Sequence, residues 1–144
     1  MRNIELYISK ADVYKEVAKT TAYTGAKQAT DESGFDKVFL SDAETEMLDR
    51  YWNEVCTDIS LRLSEWIVEV EPSSASITLA VADGFNDALT DSLTQAITSY
   101  FVTTLLYKWY SIAMPTLAEG MVAESITHIK RVTELINQRK RPTR

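Results

Sequence analysis

Cysteine, histidine, glycine and proline are all scarce in this chain of 144 residues. The single cysteine, Cys56, excludes an internal disulfide, and its helical neighbours Trp52, Val55 and Ile59 predict a buried thiol that packs as a small apolar group. The single histidine, His128, excludes metal sites built from several histidines. None of the four glycines lies close to another, so the chain has no glycine-rich loop that could bind phosphate. Nucleotide-dependent activity is therefore not expected.

Long apolar runs are also missing. The N-terminal segment Met1–Ser9 lacks the apolar core of a signal peptide. The most apolar stretch, residues 97–114, contains Thr98, Ser99, Thr103, Thr104 and Lys108, whereas a membrane span needs about 20 mostly apolar residues. We interpret that stretch as a core helix and expect no membrane contact. A hydrophobic content of 45% is enough for one domain, which we place at residues 1–138.

Charge is divided between the two ends of the chain. Residues 1–129 carry nine cations and twenty carboxylates, a net charge of −11, while the last fifteen residues carry six cations and one carboxylate, a net charge of +5. Opposite charges on body and tail favour pairing between copies of the chain. The tail, residues 139–144, is either a solvated helix end or a basic arm that contacts an acidic neighbour or DNA. Its cations are Arg139, Lys140, Arg141 and Arg144.

Hydrophobic periodicity predicts four helices. The first runs from Lys10 to about Gln28, and the second begins at a capping box formed by Ser41 and Glu44 and carries its apolar stripe to Trp66. The third begins near Asp83 or Asn86 and is apolar on most sides, so it should be the central helix. The fourth begins at Pro115 and ends near Gln138.

Alternating residues predict a small β element. A hairpin is expected near residues 67–81, and it can be joined by an N-terminal strand at 3–8 that has Ile4 and Leu6 on its apolar face. The predicted fold class is therefore mainly α: a four-helix bundle-like domain with a small β-hairpin. Because a small sheet has edges that other chains can pair with, Ile4 and Leu6 are candidate partner contacts. Tyr107 and Tyr110, on either side of Lys108, are further candidates.

Residues with catalytic or metal-binding chemistry have simpler interpretations. His128 has Glu124 one turn earlier, but no nucleophile motif accompanies it, so we interpret it as a partly exposed helical histidine. Asp83, Asp87 and Asp91 could line one helix face and bind a divalent cation, yet carboxylates near a helix N-terminus are already favoured by the helix dipole. We expect no enzyme activity, no cofactor and no metal.

Several short motifs resemble a family of small virion-associated proteins from phages and prophages of gut bacteria. The matching segments are Lys10-Ala11-Asp12-Val13, residues 16–27, Tyr51-Trp52-Asn53-Glu54, residues 88–92, Lys108-Trp109-Tyr110 and residues 139–144. The resemblance implies a component of the virion and no catalytic residue. A helical bundle with a small β element is also similar at fold level to the head-tail connector, or neck adaptor, proteins of tailed phages.

This resemblance implies a structural protein that forms rings with copies of itself. Its further partners would be the portal and the tail or neck proteins, and the basic arm could meet DNA in the channel. The proposed contacts are a sheet edge that extends across subunits and the arm on an acidic partner. The alternative is a soluble protein-binding or regulatory module without catalytic activity. A small hydrolase or metal-dependent enzyme ranks last, because such chemistry would depend on His128 alone.

Overall fold

A computed structural model describes residues 1–28, 45–113 and 115–138. Within these ranges the chain forms three strands, four α-helices and one short 3-10 helix. In chain order they are β1 (Arg2–Tyr7), α1 (Lys10–Gln28), α2 (Thr45–Arg62), β2 (Ile67–Glu71), β3 (Ser76–Val81), the 3-10 helix (Asp87–Leu89), α3 (Thr90–Ala113) and α4 (Pro115–Asn137). The predicted fold class, mainly α with a small hairpin and an N-terminal strand, is confirmed.

The sheet has β3 at its centre, with β1 and β2 on either side and both antiparallel to it. The alternating pattern of β1 sets its orientation. Leu6 is buried in the core and Ile4 is half-buried, whereas Asn3, Glu5 and Tyr7 are exposed on the opposite face. The N-terminal strand therefore joins the hairpin, and the central strand β3 is mostly buried between its neighbours.

α3 is the central helix. It packs against α1, α2 and α4, and its fully buried side chains include Leu93, Ile97, Phe101 and Leu105. The apolar residues cover most of the helix circumference because helices pack on several of its sides. Leu6, Val17, Ile59 and many residues of α3 belong to one hydrophobic cluster, so the described helices and the sheet share a core.

α4 packs along α3 through a narrow stripe. Only residue 114 lies between the two helices, so they form an antiparallel helical hairpin. The buried residues of α4 are Ala118, Val132, Leu135 and Ile136, whereas Val122 and Ile126 remain exposed on its flank. Because the helix buries only a stripe, a groove remains along each of its two sides.

A polar cluster joins α1 to α2. The Tyr14 hydroxyl donates a hydrogen bond of 2.5 Å to Asp49, and Lys10 Nζ lies 3.1 Å from the same carboxylate. Lys10 also lies over the rings of Tyr14 and Trp52, 5.5 and 5.8 Å from their centroids. The hydrogen bond from Tyr14 and the charge of Lys10 lower the pKa of Asp49, so its ionised form is favoured. Nearby, burial raises the pKa of the Cys56 thiol to about 11, which makes it an inert core residue, as predicted.

Three element ends differ from the predictions or lie outside the described residues. α2 ends at Arg62, one turn before Trp66, because the chain turns there into β2. The Asn86 side chain accepts a hydrogen bond from the Ala88 amide and caps the 3-10 helix, while α3 itself begins only at Thr90. The predicted capping box of Ser41 and Glu44 and the basic arm, residues 139–144, are outside the described ranges.

Candidate interaction surfaces

The outer edge of β1 is regular and unpaired in the described part of the chain. Its register with β3 runs without interruption from Arg2 opposite Val81 to Tyr7 opposite Ser76. One residue further on, the Ile8 amide donates a 2.9 Å hydrogen bond to the Ala75 carbonyl. Hydrogen-bonded residues alternate along an antiparallel strand. The even-numbered residues therefore bond to β3, and the backbone amides and carbonyls of three odd-numbered residues point away from it: Asn3, Glu5 and Tyr7.

Side-chain contacts hold β1 at its beginning. The Arg2 guanidinium lies 2.7 Å from Asp87 and donates a 3.1 Å hydrogen bond to the Phe85 carbonyl. It also lies 5.9 Å from the centre of the Phe85 ring. At the other end of the strand, a hydrogen bond from Tyr7 to Glu5, together with the charge of Glu5, raises the pKa of the Tyr7 hydroxyl. The Arg2 contacts tie the beginning of β1 to Phe85 and Asp87.

The outer edge of β2 is irregular. Its register with β3 shifts between Ile67 and Glu69, so Val68 is an extra, unpaired residue that forms a bulge and is 54% exposed. Glu69 and Glu71 add two exposed carboxylates to this short strand. Bulges and charged side chains are the features that prevent strands of other molecules from pairing with an edge. β1 has no such bulge, and no described residue pairs with its outer edge.

The structure separates the side chains that were predicted to contact a partner. Tyr107 is 37% exposed and remains a candidate. The prediction is corrected for Leu6 and Tyr110, because both side chains are buried in the core and a partner cannot reach them. Ile4 is half-buried against that core and offers only part of its surface. The alternating pattern correctly predicted that Ile4 and Leu6 share one face of β1, and this face is turned toward the core. At the outer edge of β1, a partner strand could therefore pair only with the backbone.

A cleft of about 420 Å³ lies between α2, α3 and α4. α3 forms its floor, because its lining residues include the buried Tyr100 and Thr104. Polar and apolar side chains share the lining: Asp58, Leu61, Arg62, Tyr100, Thr104, Tyr107, Lys108, Val122 and Ser125. Its size lies within the range of about 300–1,000 Å³ that is typical of ligand sites. Of these residues, only Tyr107 and Lys108 were singled out from the sequence. The cleft itself could not be predicted, because its lining residues come from three helices that are separate in the sequence.

Lys108 is already neutralised at one end of the cleft. Its ammonium lies 3.3 Å from Glu54 and 3.5 Å from Asp58, and the side chain is only 19% exposed. Arg62, by contrast, forms no ion pair with any carboxylate that the structure describes. It lies near Tyr100, whose pKa is raised mainly by burial. The cleft therefore presents one unpaired cation.

Thr104 is a buried polar group on the floor of the cleft. Its side chain is 7% exposed, and its hydroxyl oxygen has no hydrogen-bond partner among the described residues. It lies one helical turn from Tyr100 and lowers the pKa of that hydroxyl slightly, but the two groups are outside hydrogen-bond geometry. Burying a hydroxyl without a partner costs about 1–3 kcal/mol. No feature of the sequence distinguishes Thr104 from the other hydroxyl residues of α3.

A second groove, of about 410 Å³, contains His128. It lies between α1, α3 and α4, and its other lining residues are Asp12, Glu16, Thr98, Ser99, Val102 and Thr103. The Thr98 and Thr103 hydroxyls donate to carbonyls of their own helix, and no described residue forms a hydrogen bond with His128. A catalytic histidine needs an aligned nucleophile and an orienting partner, so this groove offers no such arrangement.

Metal-ligating side chains are not grouped in the described part of the chain. No set of three or more His, Cys, Asp or Glu residues there is arranged to hold an ion. Of the three aspartates considered in the sequence, Asp87 pairs with Arg2. None of the described helices has the length and apolar character that crossing a membrane requires. Comparison with known proteins found no matching family model, curated protein or solved structure.

Proposed function

We propose that this chain is a non-enzymatic structural protein of a tailed-phage particle, a ring-forming adaptor at the head-tail connector or neck. It would act by assembling with copies of itself and with portal and tail proteins. The observation that supports the assembly role is the regular outer edge of β1, which no described residue pairs with, in contrast to the bulged, acidic edge of β2 on the opposite side of the sheet. The location in a virion rests on the sequence resemblance, whose segments include Tyr51-Trp52-Asn53-Glu54 and residues 139–144.

Strand addition is the contact that the β1 edge supports. Its outward amides and carbonyls at Asn3, Glu5 and Tyr7 can form main-chain hydrogen bonds with an extended segment of a neighbouring subunit. The exposed side chains of β1, those of Asn3, Glu5 and Tyr7, all carry polar groups, so they can be solvated before assembly. The basic arm would add a second contact by charge attraction to the acidic body of a neighbour.

A proline at residue 5 tests strand addition. Glu5→Pro removes the outward amide without removing a hydrogen bond to β3, and proline is tolerated at strand edges. Glu5→Thr removes the same charge but keeps the amide. We expect the proline variant to assemble less than both the threonine variant and the wild type, as measured by sedimentation velocity over a range of protein concentrations. Equal assembly of the two variants would contradict a role for the β1 edge.

The location in a virion has its own test. Mass spectrometry of purified phage particles should detect the chain at a copy number that matches a ring at one vertex. If the chain is abundant in infected cells but missing from purified particles, the structural role is wrong. A monomeric protein-binding module is the second candidate, and the cleft between α2, α3 and α4 is the observation that favours it. A strict monomer that binds a partner through this cleft would support that candidate.

A further inference from the structure

We propose that the cleft between α2, α3 and α4 is a binding site for a short acidic segment of a partner polypeptide. The segment would place a carboxylate on Arg62, an apolar side chain between Leu61 and Val122, and a backbone amide or carbonyl on the Thr104 hydroxyl. No residue of the sheet lines this cleft. The site is therefore separate from the β1 edge, and either surface can fail its test without affecting the other.

The charges around the cleft select an anion. Lys108 is already paired with two carboxylates, Glu54 and Asp58. The Arg62 side chain is exposed at the end of α2, and no described carboxylate pairs with it. Its guanidinium can bind a carboxylate through two parallel hydrogen bonds, which is the geometry that arginine favours. A cationic segment would meet the unpaired Arg62 guanidinium and be repelled.

The rim of the cleft selects an apolar side chain. Leu61 is 71% exposed, and Tyr107 and Val122 are 37% and 36% exposed, so three large apolar groups from three helices surround the opening. Scattered exposed apolar residues need no explanation, but apolar groups that converge on one concave surface are typical of binding sites. An aliphatic or aromatic side chain placed there would remove this apolar surface from water.

The floor of the cleft indicates a polypeptide. The Thr104 hydroxyl is more than nine-tenths buried, lines the cleft and has no partner in the described ranges. A hydroxyl can both donate and accept, and an extended peptide backbone supplies a donor and an acceptor in every residue. A small carboxylic acid could satisfy Arg62 and the apolar rim, but its carboxylate would be used at Arg62 and leave Thr104 unpaired.

The test uses the full chain and a synthetic peptide, acetyl-Gly-Phe-Asp-Leu-Gly-amide. We expect its addition to shift the methyl NMR signals of Leu61, Thr104 and Val122 in a saturable manner. The peptide with Asn in place of Asp should bind about tenfold more weakly, because a hydrogen bond to a charged group contributes more than a neutral one. Arg62→Met should weaken binding of the Asp peptide to the same level and leave binding of the Asn peptide almost unchanged.

Thr104→Val separates ligand binding from stability. The valine has nearly the same shape and removes the unpaired hydroxyl, so the free protein should melt at a higher temperature while the peptide binds about fivefold more weakly. Thr98→Val is the matched control on the same helix, because Thr98 lines the other groove and its hydroxyl donates to the Thr94 carbonyl. It should leave peptide binding unchanged. Absence of peptide binding, or equal affinities for wild type, Arg62→Met and Thr104→Val, would overturn the proposal.

Discussion

The two outer strands of the sheet, β1 and β2, flank the same central strand and yet present different edges. β1 is six residues long, keeps one register with β3 and exposes a row of backbone groups. β2 is five residues long, is interrupted at Val68 and carries Glu69 and Glu71. Both are edge strands by topology, but only β1 has the regular geometry on which another strand can pair.

This difference shows that the sheet can accommodate a bulged outer strand, although β1 has no bulge. The hairpin partner β2 shows that a bulge and two carboxylates fit this sheet without loss of the fold. β1 also carries an exposed carboxylate, Glu5, so the bulge is the main difference between the two edges. An exposed regular edge is a risk for aggregation unless another strand covers it, and this is the reason that the proposed function assigns a partner strand to β1.

Truncation of one apolar side chain in each strand, buried in β1 and exposed in β2, should give the largest contrast in stability. Leu6 of β1 is 2% exposed, and Leu6→Ala should lower the free energy of unfolding by about 2–5 kcal/mol. Val68 of β2 is 54% exposed, and Val68→Ala should change it by less than about 0.5 kcal/mol. Urea unfolding followed by circular dichroism measures both changes. A small effect of Leu6→Ala would show that β1 is not part of the folded core, and the open edge would then be a loose terminus.

Conversion of the β2 edge into a regular one should produce the next largest effect. Deletion of Val68 joins Ile67 directly to Glu69, whose partners Leu79 and Thr78 are already adjacent in β3. Combined with Glu69→Thr, it removes the bulge and one carboxylate. Each backbone hydrogen bond gained with another molecule is worth about 1 kcal/mol, which corresponds to about fivefold tighter association.

Analytical ultracentrifugation of this variant checks the contrast between the edges. The single change Glu69→Thr is its control, because it removes the charge but keeps the bulge. We expect the control to associate like the wild type and the deletion variant to associate at lower concentration. If both behave alike, the bulge does not protect the β2 edge, and the difference between the two strands has no consequence for assembly.

The sequence was sufficient to predict the elements but not the surfaces. Local periodicity located α1 at Lys10–Gln28 and the start of α4 at Pro115, because a helix that buries one face repeats apolar residues every three to four positions. Alternation likewise identified the inner face of β1. These signals depend only on residues that are close in the sequence, so they can be recognised without the tertiary structure.

Features that depend on distant parts of the chain could not be predicted. The bulge at Val68 is defined by its register with β3, and the unpaired hydroxyl of Thr104 by the helices around it. Tyr110 illustrates the same limit: it follows Tyr107 by three residues, and only the packing of α3 determines that Tyr107 faces the cleft while Tyr110 is buried. An aromatic residue on an apolar helix gives no local signal of which side will be covered.

The smallest effect should come from the contact that holds the start of β1. Arg2→Gln removes the ion pair with Asp87 and the hydrogen bond to the Phe85 carbonyl. Because both charged side chains are partly exposed, the loss of global stability should be under about 1 kcal/mol and should shrink further in high salt. The local effect is more informative: the Ile4 amide, which faces β3, should exchange with solvent faster, while the Ala80 amide of β3, which donates to the Trp66 carbonyl on the β2 side, should be unaffected. Arg2→Lys keeps the charge without the planar guanidinium, so its exchange rate at Ile4 should lie between those of the wild type and Arg2→Gln. Unchanged exchange at Ile4 in Arg2→Gln would mean that pairing with β3 alone holds the strand. Arg2 would then make no contribution to the regular geometry of the β1 edge.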